Sequence, residues 1–256
     1  MSTLWRNYRV MKIYFAGIES QIDIVKKCKP KNVLFSFASV NEDCIKYAKS
    51  PYCESFLLDS GAFTFMNNTK KGNIDWKEYI DNYIAFINKH DIKYFFELDI
   101  DCIVGYDNVL KIRKYIEEKT GKKCIPVWHK SRGKEEFLKM CDEYDYVAIG
   151  GIVTKEIKRK QHYVFKWFIN EAHKRGCKIH GLGHTNMADI KDYRFDTVDS
   201  TTWINGGKFG NIITIRDGIP KQTTLRKDGC RINGKKLTEH NLVTCMKFAE
   251  YAEKNL

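Results

Sequence analysis

Two short apolar segments of the chain end in aspartates that are followed by hydroxyl-bearing residues. Residues 56–64 carry Asp59, and residues 195–203 carry Asp196 and Asp199. A buried carboxylate must be paired or hydrogen-bonded, so an aspartate at the end of an apolar strand often has a specific role. Two such carboxylates facing each other suit substitution at a sugar carbon. One attacks to form a covalent intermediate, and the other transfers protons to and from the leaving group.

Polar residues, glycines and aromatic residues also follow the other apolar segments. The residues that we predict to bind substrate are Ser60, Gly61, Asp99, Asp101, Trp128, His129, Gly150, Gly151, Gly183 and His184. A further carboxylate can accept hydrogen bonds from a guanine-like base, a glycine lets the base approach the backbone, and an aromatic ring can stack on it. Each type also has a structural interpretation, since aspartates cap turns, histidines form hydrogen bonds in cores, and glycines permit tight turns.

Eight strand-like segments of the chain alternate with mostly helical ones. They span residues 11–17, 32–38, 55–63, 93–101, 123–129, 146–152, 178–184 and 195–203. Alternating strands and helices imply parallel pairing, and eight such units close a TIM barrel. We therefore predict an α/β fold with a (β/α)8 barrel over about residues 11–204, in a single domain of residues 1–256. An open doubly wound sheet fits less well, because no glycine-rich phosphate loop follows the first strand.

The end of the chain, about residues 205–256, is predicted to add a hairpin and a helix to the barrel. Strand-like residues 211–216 and 221–225 flank an Asp-Gly pair, which is typical of hairpin turns. The last helix is predicted over about residues 238–254.

A barrel would bring the candidate residues to one rim, because active sites of such barrels lie at the C-terminal ends of the strands. Asp59 is then the predicted general acid and base. Side chains alternate along a strand, so Asp196 and Asp199 point to opposite faces and only one of them can point into the barrel. Asp199 lies nearer the C-terminal end of its strand. We favour it as the nucleophile and keep Asp196 as the alternative.

The chain is strongly basic, which favours a polyanionic partner. Its 256 residues include 44 lysines and arginines against 32 aspartates and glutamates, a formal net charge of +12. Nucleic acid or an anionic membrane surface would attract such a protein, although dispersed lysines are also typical of a well-solvated surface. The longest apolar runs fall short of the ~20 residues that a membrane span needs, so no membrane-spanning segment is predicted.

The cysteines of the chain carry no recognisable metal or redox spacing. There are nine, and no two of them form a CxxC pair. The odd count and the lack of a signal peptide predict reduced thiols and a cytoplasmic location. No metal or cofactor is predicted.

The order of the motifs resembles that of the tRNA-guanine transglycosylases. Residues 59–64 resemble the DSGGFQ motif of that family, 98–102 the base-recognising FDEC segment, 148–153 the GGLAVG segment, and 195–198 the FDCV motif that carries the nucleophile. Residues 125–129 and 181–183 fall where the family has a base-contacting glutamine and an MGVG turn. The resemblance implies a TIM barrel that exchanges guanine in nucleic acid for a 7-deazaguanine base, such as preQ0, through a covalent aspartyl-sugar intermediate.

Three departures from the family pattern point to its compact, phage-associated branch, which inserts 7-deazaguanines into DNA. The CxCxxC…H zinc site that follows the eighth strand in the tRNA enzymes is missing, residues 199–203 replace the PTR segment, and the chain is shorter. The resemblance therefore implies a DNA substrate and, for a phage protein, the host cytoplasm. By motif it places the nucleophile at Asp196, whereas position along the strand favours Asp199.

Three other functions remain open from the sequence. The chain could perform the same exchange on tRNA, it could be a non-catalytic nucleic-acid-binding subunit, or it could be a metal-dependent TIM-barrel hydrolase. The last would use Asp59, Asp99, Asp101, His129 and His184. A base inside a duplex must be flipped out at a cost of a few kcal/mol, which the basic stretch 226–236 or a helper protein could assist.

Overall fold

Seven parallel strands form the central sheet of the protein. The computed structural model describes residues 10–62, 64, 74–184, 189–225 and 233–256. The strands are β1 (Lys12–Ala16), β2 (Asn32–Ser36), β3 (Ser55–Asp59), β4 (Val127–Trp128), β5 (Tyr146–Ile149), β6 (Lys178–Gly181) and β7 (Thr197–Ser200). Their order is β3-β2-β1-β7-β6-β5-β4, and the sheet curls into a half-barrel. The predicted α/β fold is confirmed.

Helices follow most of the strands and cover the outer face of the sheet. They are α1 (Ile22–Cys28), α2 (Glu42–Ala48), α3 (Trp76–His90), α4 (Asp101–Val104), α5 (Tyr106–Thr120), α6 (Gly133–Glu143), α7 (Phe165–Lys174), α8 (Asn205–Phe209) and α9 (Gly234–Asn255). Helix α3 shows why they form, since its buried residues Ile80, Tyr83, Ile84 and Ile87 recur at helical spacing. Asp75 caps it by accepting a hydrogen bond from the Glu78 amide at 3.0 Å.

The segment predicted as a strand over residues 93–101 is not a continuous strand. Phe95 forms a single parallel bridge to Leu58 of β3, and Phe96 forms one to Ile125. The strand predicted over residues 123–129 is likewise reduced to β4, because Pro126 has no N–H to donate to a ladder.

The inner face of the curled sheet is filled by side chains at every second strand position. The buried members of this inner cluster are Tyr14, Ala16, Leu34, Leu57, Phe96, Ile125, Val127 and Ala148. Because side chains alternate along a strand, the next inward positions are residues 59, 129 and 150. Asp199 shares their face because it pairs with the inward Tyr14 across β1 and β7. The sheet thus carries four of the candidate residues, Asp59, His129, Gly150 and Asp199, to the C-terminal edge of its inner face.

The chain ends in the predicted hairpin and helix. The hairpin is β8 (Asn211–Arg216) paired antiparallel with β9 (Ile219–Thr224). Helix α9 fastens it, because the Asn241 side chain accepts from the Ile213 amide and donates to the Asn211 carbonyl, both at 2.8 Å. Residue 63 of the predicted third strand and residues 226–232 of the basic stretch lie outside the described residues. None of the helices in the described ranges is both long enough and apolar enough to cross a membrane.

Candidate active site

Asp59 lies at the C-terminal end of β3, in the inward register that follows Leu57. Its Oδ2 accepts a hydrogen bond from the Gly61 amide at 3.0 Å. A Cβ on Gly61 would lie 2.7 Å from the Ala38 Cβ, so only glycine allows the chain to turn back tightly enough to make this bond. The side chain of Asp59 is thereby fixed at the mouth of the half-barrel.

The pKa of Asp59 is raised from its ordinary value to about 7. Burial is the largest cause, and the nearby carboxylates of Asp99 and Asp199 add to it, while the hydrogen bond from Gly61 opposes it. A carboxyl with a pKa near neutrality can both donate and accept a proton at physiological pH. Asp59 therefore has the property that a general acid and base requires.

Asp199 is buried at the end of β7, also in the inward register. Its Oδ1 accepts from the Gly183 amide and lies 3.2 Å from His180 Nε2. Both bonds go to the same oxygen, and among the described residues none goes to Oδ2. The two bonds hold the carboxylate in one orientation through Oδ1.

A buried series of side-chain hydrogen bonds connects Tyr146 to Asp199. Tyr146 Oη lies 2.5 Å from Thr197 Oγ1, which lies 2.7 Å from His180 Nδ1. With neutral His180, every donor finds an acceptor when Tyr146 donates to Thr197, Thr197 to Nδ1, and Nε2–H to Asp199. This series of hydrogen bonds thus selects the tautomer of His180 in which Nε2–H donates to Asp199.

We expect that Thr197→Val lowers the turnover number of any reaction that uses Asp199 by about tenfold, with little change in KM. The substitution keeps the side-chain shape but leaves His180 free to present its other tautomer, in which Nε2 no longer donates. Steady-state kinetics that separate kcat from KM would measure this effect. Tyr14→Phe is the matched control, since it removes another inner hydroxyl, bonded to Ser55 Oγ at 2.7 Å. Equal losses in the two variants would contradict a positioning role for Thr197.

Asp99, His129 and Glu156 form a second polar group at the same edge. His129 Nε2 lies 3.2 Å from Asp99 Oδ2, and its Nδ1 lies 3.4 Å from Glu156 Oε1. Burial opposes protonation of the imidazole, but the two carboxylates outweigh it and raise the pKa of His129. A Cβ on Gly150 would lie 2.7 Å from His129 Cε1, so the glycine makes room for the ring. The structure brings these four residues together.

Asp101 belongs to a buried ion network instead. Arg132 binds its two carboxylate oxygens at 2.6 and 2.7 Å, and its third donor reaches Glu97 Oε1 at 2.7 Å. Arg113 holds the other oxygen of Glu97 at 2.6 Å. Burial opposes ionisation of Asp101, yet Arg132 lowers its pKa below the ordinary value. The strand predicted over residues 93–101 would put Asp99 and Asp101, two positions apart, on one face. The chain instead turns into α4 at Asp101, and the two carboxylates bind different partners.

Trp128 and Asp196 lie on the outer face of the sheet, away from the inner cluster. The Trp128 ring packs 4.4 Å from that of Phe168, and its N–H donates to the Gly133 carbonyl at 2.6 Å. Asp196 Oδ2 accepts from the Ile179 amide at 2.8 Å and lies 3.0 Å from His173 Nε2. Each lies one position from an inward residue, so the structure does not bring either to the mouth.

We expect that Asp196→Asn leaves catalysis within about threefold of the unchanged protein and lowers its stability. The carboxylate fastens β6 and α7 from outside the sheet, and an amide can replace only part of its hydrogen bonding. A weakened bond to a charged group costs about 1–3 kcal/mol. Thermal unfolding alongside an activity assay would test both parts. A large loss of turnover in folded Asp196→Asn would return the nucleophile to that position.

Two further predicted residues, Ser60 and His184, are both buried. Ser60 is buried, and its hydroxyl has no hydrogen-bond partner among the described residues. His184 is buried between the rings of Phe165 and Phe195, and burial followed by the charge of His162 lowers its pKa to about 4. His184 is therefore neutral at physiological pH and lies beside an aromatic cluster.

Gly151 and Gly183 support the candidate site through their neighbours. A Cβ on Gly151 would lie 3.1 Å from the Glu156 side chain. The Gly183 amide donates a hydrogen bond to Asp199. A Cβ on Gly183 would overlap with the Val153 side chain, so only glycine fits there. Both glycines therefore allow the loop after β5 to pack closely over the edge of the sheet.

Sequence reasoning missed His180, Glu97 and Arg132. His180 occupies an inward position of a predicted strand, so the alternation along β6 could have identified it. Glu97 and Arg132 gave no such signal, because an ion pair across 35 residues depends on how loops pack.

No protein-family model matches the chain, and a search of the curated proteins finds no match. Within the described ranges, no three His, Cys, Asp or Glu side chains are arranged to hold a metal ion.

Proposed function

We propose that the protein is a guanine transglycosylase that replaces guanine in DNA with a 7-deazaguanine base. The observation that supports this most is the pair formed by Asp59 and Asp199. They end two strands separated by β2 and β1 in the sheet and share the inner face. Burial raises the pKa of Asp59 to about 7, and the charges of Asp99 and, to a smaller extent, Asp199 add to this shift. A proton-transferring carboxyl opposite an oriented carboxylate is what exchange at a sugar carbon requires.

In the proposed reaction, Asp199 Oδ2 attacks C1′ of the target nucleotide. The C1′–N9 bond breaks, its electron pair leaves with guanine, and protonated Asp59 gives its proton to the departing base. The sugar is then held as an ester of Asp199. The incoming base gives its N9 proton to Asp59 and attacks C1′, which breaks the ester and returns both carboxyl groups to their starting states.

The base would be read by the group around His129. Asp99 can accept from the amide and amino edge of guanine, and Gly150 makes room beside it for the His129 ring that binds Asp99. The pKa of Asp99 is raised, with burial as the main cause and the bond from His129 opposing it. Such a partly desolvated carboxylate gains more from hydrogen bonds to a base than one in water does.

We also propose that the sheet closes into a complete barrel. Residues 94–97 would be its eighth member, between β3 and β4. The Phe96 amide donates to the Leu58 carbonyl at 2.9 Å, and the Ile125 amide donates to the Phe95 carbonyl at 2.8 Å. Closure would place Asp99 between Asp59 and His129 around one mouth.

Base exchange with radiolabelled guanine tests the proposal. Single-stranded DNA, duplex DNA and tRNA are supplied separately, with and without a chelator, to the unchanged protein and to Asp59→Asn and Asp199→Asn. We expect label in DNA, insensitivity to the chelator, and loss of label in both variants. Label in tRNA alone would make RNA the substrate. Binding without label in any nucleic acid would leave a binding subunit, and chelator-sensitive hydrolysis would favour the metal-dependent hydrolase.

A further inference from the structure

The loop between β5 and α7, residues 150–164, forms a wall along the mouth of the half-barrel. At one end Glu156 contacts His129 Nδ1 at 3.4 Å. At the other, the Val153 side chain lies over Gly183, whose amide binds Asp199. Ile157 is buried and fixes the middle of the loop. The wall therefore runs from the proposed base-reading group to the proposed nucleophile.

The outer side of this wall is cationic. Lys155, Lys158, Arg159 and Lys160 are all exposed. The only acidic residue of the loop is Glu156, whose carboxylate is directed toward His129. Arg159 lies 3.8 Å from the carboxylate of Asp189, so the three exposed lysines are the residues of the loop that can bind phosphates.

Two apolar side chains accompany these charges. Tyr163 is 66% exposed and Val153 is 55% exposed, so both side chains are accessible to a ligand. An exposed tyrosine next to cationic residues is the combination that single-stranded nucleic acid requires, since bases stack on the ring while phosphates bind the charges. An anionic protein or a free anion would use the charges but not the ring.

We propose that residues 153–163 bind a single strand of DNA and deliver it to the mouth. Lys155, Lys158 and Lys160 hold phosphates, and Tyr163 stacks on a base next to the target. The identity of the strand as the substrate rests on the proposed function, but the binding itself requires no catalysis. A strand held along this wall would place a neighbouring sugar beside Asp199.

Fluorescence anisotropy with a labelled oligothymidylate of about 15 nucleotides, within the size of known single-strand sites, tests this surface. The variant is Lys155→Gln/Lys158→Gln/Lys160→Gln. Its matched control is Lys46→Gln/Lys114→Gln/Lys139→Gln, which removes the same charge from exposed positions on three outer helices. We expect the loop variant to bind about 10- to 100-fold more weakly at 0.1 M salt, with a salt slope reduced by about 2, and the control to change little.

Tyr163→Ala separates stacking from charge. We expect about a tenfold loss of affinity for the oligothymidylate and little loss for an abasic strand with the same number of phosphates. Equal affinities of the loop variant and its control would overturn the proposal, and so would failure of the unchanged protein to bind either strand. Binding lost in the loop variant, with no base exchange by the unchanged protein, would retain this surface and reject the transglycosylase.

Discussion

Asp199→Asn is expected to reduce base exchange by at least about 1,000-fold while the protein remains folded. The amide oxygen can still accept from Gly183 and His180, so the hydrogen bonds that hold this side chain persist. Only the nucleophilic oxygen is lost, and without it no ester to the sugar can form. Incorporation of labelled guanine into DNA, with circular dichroism and thermal unfolding on the same preparation, would measure both effects.

The control for this prediction lies three residues earlier in the chain. Asp196→Asn makes the same chemical change on the outer face of the sheet and is expected to retain exchange. If Asp196→Asn lost activity and Asp199→Asn kept it, the resemblance to the FDCV motif would have located the nucleophile correctly and the inward register would have misled us.

Asp59→Asn is expected to lower base exchange by about 100- to 10,000-fold and to alter its dependence on pH. An asparagine can neither give a proton to the leaving base nor take one from the incoming base. In the unchanged protein the first step needs protonated Asp59, so kcat/KM should fall above the pKa of about 7. The residual activity of Asp59→Asn should lack that decline. Rates measured from pH 5 to about 9 would show it, and an unchanged profile in the variant would assign the titration to another group.

Asp59→Asn should make the protein more stable, although it lowers the activity. Folding raises the pKa of Asp59 above its ordinary value of 3.8, so the folded state holds the proton more tightly. Its contribution to stability is highest at low pH and is lost as the pH rises through about 7. Asp59→Asn should therefore raise the melting temperature at pH 8 by about 2–4 °C and by less at pH 5. A larger gain at pH 5 than at pH 8 would contradict the raised pKa.

Periodicity along the strands predicted much of the site. Short apolar segments identified seven strands and placed Asp59 and Asp199 at the ends of two of them. Alternation of side chains along a strand separated Asp199 from Asp196, and it could also have placed Trp128 on the outer face, one position from inward Val127. These inferences worked because a side chain in a strand has only two directions available.

The rest of the site depends on contacts that no local pattern records. The chain leaves the extended conformation at Asp101, and the carboxylate of this residue binds Arg132 instead of lying at the mouth. The bonds behind Asp199 join side chains from β5, β6 and β7, which lie far apart in the sequence. Such networks are fixed by the register between strands, which the sequence of one strand does not specify.

Mapping a covalent adduct tests the central claim most directly. The unchanged protein is mixed with guanine-containing DNA in the absence of free base, quenched in acid, and digested with nuclease and trypsin. Mass spectrometry then examines the tryptic peptide 195–208, which contains both Asp196 and Asp199. We expect a deoxyribosyl group on Asp199, absent from Asp199→Asn and lost when free guanine is added before the quench. A sugar on Asp196, or base exchange that proceeds with no adduct at any carboxylate, would contradict the claim.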